Sequence, residues 1–151
     1  MKKRKPLSVY LLLSLLFFLG LGGTYGGAAL MMDPSGKIIS LSNNYIHGGI
    51  FKNYLFPGMI LFTFNGLFPL FICYALLKTP DWQWPGYLNI YKDQYWGWTF
   101  SLYAGFILLL WMSIQQFIIG SIGVIQNWYS LLGLAILTLT LAPAVKKYYS
   151  L

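Results

Sequence analysis

The sequence has few charged residues and only one cysteine. Of its 151 residues, 9% are charged and 58% are hydrophobic. A soluble domain carries about 25% charged residues, so these charges could not cover a water-facing surface, and we expect a single all-α membrane domain. Cys73 lies in an apolar run. A lone cysteine excludes an intrachain disulfide and a CxxC redox pair, and we expect it to be a small buried side chain.

Ionisable residues are also missing from the long apolar runs, and this bears most directly on function. Proton relays, ion-coupled transporters and intramembrane hydrolases need an ionisable group at depth. Asp33 and His47 are the only acid and the only histidine expected on the outer side, too few for a metal site of three or four ligands. No phosphate-binding glycine loop or nucleophile elbow occurs. The sequence therefore predicts no catalysis, no cofactor and no metal, and a lipid-modifying enzyme built on an Asp33–His47 dyad is the weakest alternative.

The formal net charge of +7 comes largely from basic residues beside the apolar runs. Two blocks stand out, which are Lys2, Lys3, Arg4 and Lys5 near one end and Lys146 and Lys147 near the other. Basic residues in such places anchor topology and contact anionic lipid. Since no basic stripe runs through a soluble fold, we expect membrane lipid as a partner and no nucleic acid.

Four apolar runs predict a bundle of four antiparallel transmembrane helices, because each run is close to the roughly 20 residues that cross a bilayer. The predicted spans are 7–27, 57–77, 95–114 and 128–145. With this arrangement eight basic residues fall on the side of the termini, and only Lys37 and Lys52 fall on the other. The positive-inside rule then places both termini in the cytoplasm. A cleaved signal peptide is the alternative for the first run.

The stretch 28–42, AALMMDPSGKIISLS, interrupts the helical pattern. Its centre has a turn-forming residue at every position, namely Asp33, Pro34, Ser35 and Gly36. Proline presets φ in such a turn and glycine accepts a positive φ. Apolar residues with a preference for strands lie on both sides. We therefore expect a short outer β-hairpin between the first two spans.

Small and polar residues within the runs are further candidate sites. Glycines four positions apart, Gly22 with Gly26 and Gly23 with Gly27, allow another helix to approach closely. The alternative is that they only loosen the end of the helix. Asn65 lies near the middle of the second run, where its amide needs a hydrogen-bond partner.

Polar residues outside the runs divide between the two faces. Gln115 and Gln116 are expected to end the third span and, with His47, to present polar groups on the outer face. Residues 117–127 are too short to span, so we expect a tight turn or a shallow re-entrant piece there. The aromatic-rich stretch 78–94 is expected to be a cytoplasmic loop on the membrane surface, with a platform for a sugar or lipid headgroup as the alternative.

Four segments occur in order along the chain: GGAALMMDPSGKIISLS, FKNYLFPGMILFTFNGLFPL, LLWMSIQQFIIG and IQNWYSLLGLAILTLTLAPAVKKYY. Together they resemble a group of small bacterial integral membrane proteins. The resemblance covers most of 26–149, and the aromatic stretch 82–98 has no counterpart in it. It implies a four-helix topology and a bacterial cytoplasmic membrane, and it implies no chemistry.

The sequence thus predicts a small polytopic membrane protein that acts without catalysis, through interaction, as an accessory subunit or scaffold. Its expected contact surfaces are the glycine face of the first span and the outer face, with another membrane protein or a second copy as the partner. The alternative is an oligomeric transporter or channel subunit whose pore is lined by Asn65, Thr138 and Thr140.

Overall fold

The helices follow the apolar runs in the computed structural model, which describes residues 4–41, 50–119 and 123–151. The elements are α1 (Leu7–Met32), a 3-10 turn (Lys37–Ile39), α2 (Leu55–Ile60), a π-helix (Leu61–Leu67), α3 (Phe68–Lys78), α4 (Trp84–Leu88), α5 (Trp96–Ile119), α6 (Val124–Leu141) and α7 (Pro143–Tyr148). The π-helix joins α2 and α3 into one continuous second span, Leu55–Lys78. This span, α1, α5 and α6 are long and apolar enough to cross a membrane, which confirms the prediction of an all-α chain with four candidate transmembrane helices.

The β-hairpin predicted for 28–42 is wrong. The helix α1 continues through this stretch to Met32, where the amide of Asp33 donates to the carbonyl oxygen of Ala29 at 2.9 Å. Alanine, leucine and methionine are strong helix formers, and a helix satisfies their backbone groups in a membrane without a partner strand. Up to residue 41 the chain then forms only a turn and a 3-10 turn, and Ser42 lies outside the described residues.

The third and fourth spans run further toward each other than predicted. The helix α5 continues through Gln115 and Gln116, since glutamine is a good helix former, and α6 begins at Val124. The connection predicted for 117–127 therefore shrinks to the few residues between the two helices. Of these, 120–122 lie outside the described part of the chain.

The fourth span ends at Leu141, earlier than predicted. Pro143 starts α7 instead of continuing α6, because a proline cannot donate to the preceding turn but is tolerated in the first turn of a helix.

The fourth span, α6, packs closely on the third span, α5. A Cβ atom on Gly105 of α5 would lie 2.7 Å from the side chain of Leu137, so the glycine provides room for the leucine.

Glycines bring α1 into backbone contact with the second span. A Cβ atom on Gly23 would overlap the carbonyl oxygen of Asn65, and one on Gly27 would lie 2.5 Å from the amide nitrogen of Phe62. A Cβ atom on Gly66 would in turn lie 2.7 Å from a backbone nitrogen of α1. Only a residue without a side chain fits at such distances, and small residues are the usual means by which membrane helices approach this closely.

The other two glycines of the predicted contact also face the inside of the bundle. A Cβ atom on Gly22 would lie 2.7 Å from the hydroxyl oxygen of Tyr129, and one on Gly26 would lie 3.3 Å from the side chain of Leu61. The second span of the same chain thus covers Gly23 and Gly27, whereas Gly22 and Gly26 are half-buried.

The first and last described residues lie at one end of the bundle, which we call the terminal end. Lys5 Nζ donates to the carbonyl oxygens of Leu76 at 3.3 Å and Leu77 at 3.0 Å, so a cation sits at the C-terminal end of α3, where the helix dipole favours it. The Tyr149 hydroxyl also donates to Leu76, at 2.9 Å. The turn that follows α1 lies at the opposite end, which we call the turn end.

The glycine contact makes a testable prediction about packing. We expect Gly23→Ala to lower the free energy of unfolding in mild detergent by about 1–3 kcal/mol, because the new methyl group meets backbone atoms that cannot move aside. Gly26→Ala, one turn further along α1, is the control. Its methyl group meets only the flexible side chain of Leu61, and alanine is the better helix former, so we expect stability to be unchanged or higher. Equal losses in the two variants would contradict the contact.

Candidate functional site

A π-helix surrounds Asn65 in the middle of the second span. It comprises the seven residues Leu61–Leu67, and at its C-terminal end the amide of Phe68 donates to the carbonyl oxygen of Thr63, five residues earlier. Pro69 lies two positions after Leu67, and in an α-helix its ring would clash with the carbonyl of the residue four positions earlier, which is Asn65. The wider π turn accommodates the proline and leaves the Asn65 carbonyl directed at Gly23. Single π turns of this kind often occur at functional sites.

The side chain of Asn65 is buried without a partner. It is 1% exposed, and neither Nδ2 nor Oδ1 has a hydrogen-bond partner among the residues that the structure describes. A buried polar group left in this state costs about 1–3 kcal/mol, and native structures contain few of them. Asn65 therefore needs an explanation beyond packing.

Asn65 lies in the wall of a cavity at the turn end. The cavity has a volume of about 380 Å³, within the range of roughly 300–1,000 Å³ that holds small molecules in proteins. All four candidate spans contribute to its wall, and its apolar surface includes Leu19, Leu30, Leu61, Leu108 and Met112. Four described residues from between α1 and α2 also line it, namely Ile39, Leu41, Phe51 and Tyr54.

A second residue with an unpaired polar atom also lines the cavity. Trp111 on α5 lines the cavity, is 6% exposed, and has no partner for its Nε1–H in the described part of the chain. Gln126 and Tyr129 at the start of α6 add polar groups to the lining, and so does Gln115 near the end of α5. The cavity thus combines a mostly apolar wall with a few uncharged polar groups, the composition expected of a ligand site.

The remaining residues that the sequence predicted as sites do not all belong to the cavity. Gln116 is exposed and is not part of the cavity wall, whereas its neighbour Gln115 is. His47 lies outside the described residues. Thr138 and Thr140, considered with Asn65 as pore-lining residues, donate instead to backbone carbonyls of their own helix, at 2.8 and 2.7 Å.

The turn Asp33 to Gly36 supports the turn end of the cavity. Asp33 Oδ1 accepts hydrogen bonds from the Ser35 hydroxyl at 2.6 Å and the Ser35 amide at 3.1 Å, and Gly36 has a φ of +78°. The Pro34 carbonyl oxygen accepts from the amide of Tyr54 at 2.9 Å, and the Tyr54 ring packs on Gly36. The turn therefore fixes Tyr54 in the wall of the cavity.

The aromatic stretch that follows α3 packs against the terminal end of the bundle. Phe71 stacks on Trp96 with ring centroids 5.7 Å apart, and Trp82 stacks on Trp96 at 6.1 Å. Asn89 is buried within this layer and donates to the carbonyl oxygen of Gln94 at 2.8 Å. Trp96 is buried in this layer, whereas Trp84 and Tyr87 of α4 are largely exposed.

Sequence reasoning found Asn65 and missed Trp111 and Gln126. Asn65 was recognised as a polar group in the middle of an apolar run. Trp111 carries a similar signal, because an indole away from the membrane interface, where tryptophan is enriched, must find a partner for its N–H. Gln126 carried no signal, since its burial depends on how α6 packs against α1 and α5.

Comparisons of the chain with protein-family models, with curated proteins and with solved structures give no match. Within the described residues, no group of three or more His, Cys, Asp and Glu side chains is placed to hold a metal ion. The cavity is therefore the candidate site on the basis of its volume and lining residues alone.

The turn makes a prediction about pH. Hydrogen bonds from the Ser35 hydroxyl and nearby amides hold the pKa of Asp33 below its ordinary value of 3.8. A carboxyl with a lowered pKa stabilises the fold fully at neutral pH, and this contribution is lost as the pH falls through the lowered pKa. We expect the hydrogen-exchange protection of the Ser35 and Ile38 amides to fall in that acidic range, as measured by NMR. In Asp33→Asn the acid-dependent loss should disappear, and an unchanged loss in that variant would assign it to another group.

Proposed function

We propose that this protein is a multi-pass protein of a bacterial cytoplasmic membrane that acts without catalysis, through interaction, as an accessory subunit or scaffold. The observation that carries the proposal is the uncharged interior of the bundle. The polar side chains that the described residues bury are Asn65, Asn89, Gln94, Thr99, Ser101, Gln126 and Thr140, all of them neutral. General acid–base catalysis and ion coupling need a group that changes its charge at depth, and these side chains offer hydrogen bonding alone.

The fourth span supports the interaction role, because it has the most surface to offer a partner. In its most apolar stretch 22% of the residues are buried within the chain, against 61% in the third span. Its exposed large side chains include Trp128, Leu131, Leu134 and Leu141. A membrane covers such a face with lipid or with another helix, and we propose that a helix of another membrane protein binds it.

The proposed orientation follows from charge. The basic residues of the described chain at the terminal end are Arg4, Lys5, Lys78, Lys92, Lys146 and Lys147, and those toward the turn end are Lys37 and Lys52. Cytoplasmic segments carry the excess of lysine and arginine. We therefore propose that the terminal end, with both termini, faces the cytoplasm and that the turn end faces outward.

Single-cysteine labelling tests this orientation. We expect a membrane-impermeant maleimide to label Ser40→Cys in intact spheroplasts, and to label Ser150→Cys only after the membrane is opened, because the two positions lie at opposite ends of the bundle. Both serines are exposed, and the native Cys73 is buried at 6% exposure, so its background should be low. The reverse pattern would contradict the proposed orientation.

The mass of the native complex tests the interaction role. Extracted from its own membrane in mild detergent, the protein should run as a defined complex with a second protein chain, identified by mass spectrometry. The double variant Leu131→Ala and Leu134→Ala on α6 should release that chain. The matched double variant Phe17→Ala and Phe18→Ala removes exposed apolar side chains from α1 and should retain it. A monomer that co-purifies with no other chain would overturn the proposal.

A further inference from the structure

The helices α1 and α6 touch at one level of the bundle and separate one helical turn further toward the turn end. At the first level, the hydroxyl oxygen of Tyr129 lies 2.7 Å from the position of a Cβ atom on Gly22. One turn further, a Cβ atom on Gly26 would meet only the side chain of Leu61 on the second span, and no atom of α6 lies within 4 Å of it. The two helices therefore leave a gap beyond the contact between Gly22 and Tyr129.

This gap is the mouth of the cavity at the turn end. Gly26 lines the cavity, and so do Tyr25 on α1 and Ile125 on α6. The side chains of Tyr25 and Ile125 are also 70% and 65% exposed on the outside of the bundle. A side chain that lines a cavity and is largely exposed lies at the opening of that cavity. The cavity therefore opens sideways, between α1 and α6.

The mouth lies at the depth of lipid acyl chains. The helix α1 has 26 residues and is about 39 Å long, whereas the hydrocarbon core of a bilayer is about 30 Å thick. Gly26 lies six residues before Met32, the last residue of α1, which is about 9 Å along the helix. With α1 centred in the bilayer, Gly26 lies just inside the hydrocarbon core of the leaflet at the turn end, so an opening there faces acyl chains.

The dimensions of the cavity suit one hydrocarbon chain. Its lining on α1 runs from Leu19 to Leu30, which is about 16 Å along the helix, so the cavity extends from the mouth toward the middle of the membrane. A cavity of about 150 Å³ holds benzene, with its six carbon atoms, and at this packing about 380 Å³ would hold roughly 15 carbon atoms. This is the size of one acyl chain and much less than a whole phospholipid.

The wall of the cavity favours hydrocarbon over water or an ion. The described residues that line it include no Asp, Glu, Lys, Arg or His, so an ion inside would lose its hydration without gaining a counter-charge. The polar side-chain atoms of Asn65 and Trp111 have almost no accessible surface, so they offer no hydrogen bond to a molecule in the cavity. Water needs such partners, and an empty space would deprive the lining of dispersion contacts. A hydrocarbon chain restores those contacts.

We propose that the cavity holds one acyl chain of a phospholipid from the leaflet at the turn end. The acyl chain enters between α1 and α6, and the glycerol and headgroup remain at the interface, where their charge keeps its hydration. A phospholipid is the molecule whose chains surround the mouth at this depth. The site goes beyond the accessory role and does not depend on it, since a protein without a partner can still hold the lipid.

Protein methyl groups can report whether an acyl chain lies inside. The full-length protein is deuterated except for its methionine methyl groups and isoleucine δ1 methyl groups, and is placed in nanodiscs of phosphatidylglycerol. Met112 lines the cavity and is 5% exposed, so lipid outside the bundle does not contact it. We expect a nuclear Overhauser cross-peak between the Met112 methyl group and acyl-chain protons. This cross-peak should disappear in chain-deuterated phosphatidylglycerol.

Two other methyl groups are internal controls. Met59 on the second span is exposed and should show the lipid cross-peak whether or not the cavity is filled. Ile72 is fully buried and is not part of the cavity wall, so it should show none. The variant Met112→Leu, which nearly conserves side-chain volume, assigns the signal of the cavity methyl group.

Variants that block the mouth should remove the lipid cross-peak of Met112. Gly26→Leu fills the gap from α1, and Ile125→Trp narrows it from α6. The matched controls place the same side chains at exposed positions outside the cavity wall, with Ser14→Leu on α1 and Val124→Trp on α6, and should keep the cross-peak. The signals of the two control methyl groups show whether each variant is folded.

Three results would overturn the proposal. One is a Met112 methyl group without a lipid cross-peak in nanodiscs where Met59 shows one. Another is a Met112 cross-peak that persists in folded Gly26→Leu and Ile125→Trp. The third is a cross-peak that appears only after palmitate is added, because the occupant would then be a free fatty acid. The partner-chain experiment on α6 fails or succeeds separately from all three.

Discussion

The backbone contact between α1 and the second span is the constraint on which the rest of the bundle depends. Gly23 meets the carbonyl of Asn65, and Gly27 meets the backbone at Phe62. In a bilayer the hydrophobic effect does not drive helices together, so close packing of this kind supplies much of the attraction. The contact fixes the rotation of both helices about their axes. Every residue of the second span then has a defined direction, including the amide of Asn65.

The π-helix and Pro69 explain why this contact occurs where it does. Proline cannot donate the hydrogen bond that the Asn65 carbonyl would receive in an α-helix, and its ring would collide with that carbonyl. Widening the turn over Leu61–Leu67 relieves the collision, and the glycine surface of α1 provides the space for the displaced backbone. Beyond the contact, at the turn end, the side chains of four spans surround a space that they do not fill.

The sequence predicted the number and approximate limits of the spans, because a run of about 20 apolar residues without charge is typical of a transmembrane helix. It also predicted the turn at Gly36, which requires a positive φ. It failed at 28–42, where apolar residues on both sides of a turn fit a hairpin and a helix end equally well by local pattern. It could not predict the cavity, since Trp111 and Gln126 come together with Asn65 only through the packing of distant spans.

The amide of Asn65 is not explained by the stability of the chain alone. A leucine of similar size would remove two unpaired buried atoms, and replacing such a group by an apolar one is neutral or stabilising. Structures depart from the most stable choice chiefly where a function requires it. The departure here coincides with a π turn, with a second unpaired donor on Trp111 and with a cavity that both residues line. The π turn follows from Pro69, whereas the packing of the described residues does not explain why the amide of Asn65 and the indole N–H of Trp111 are buried without partners.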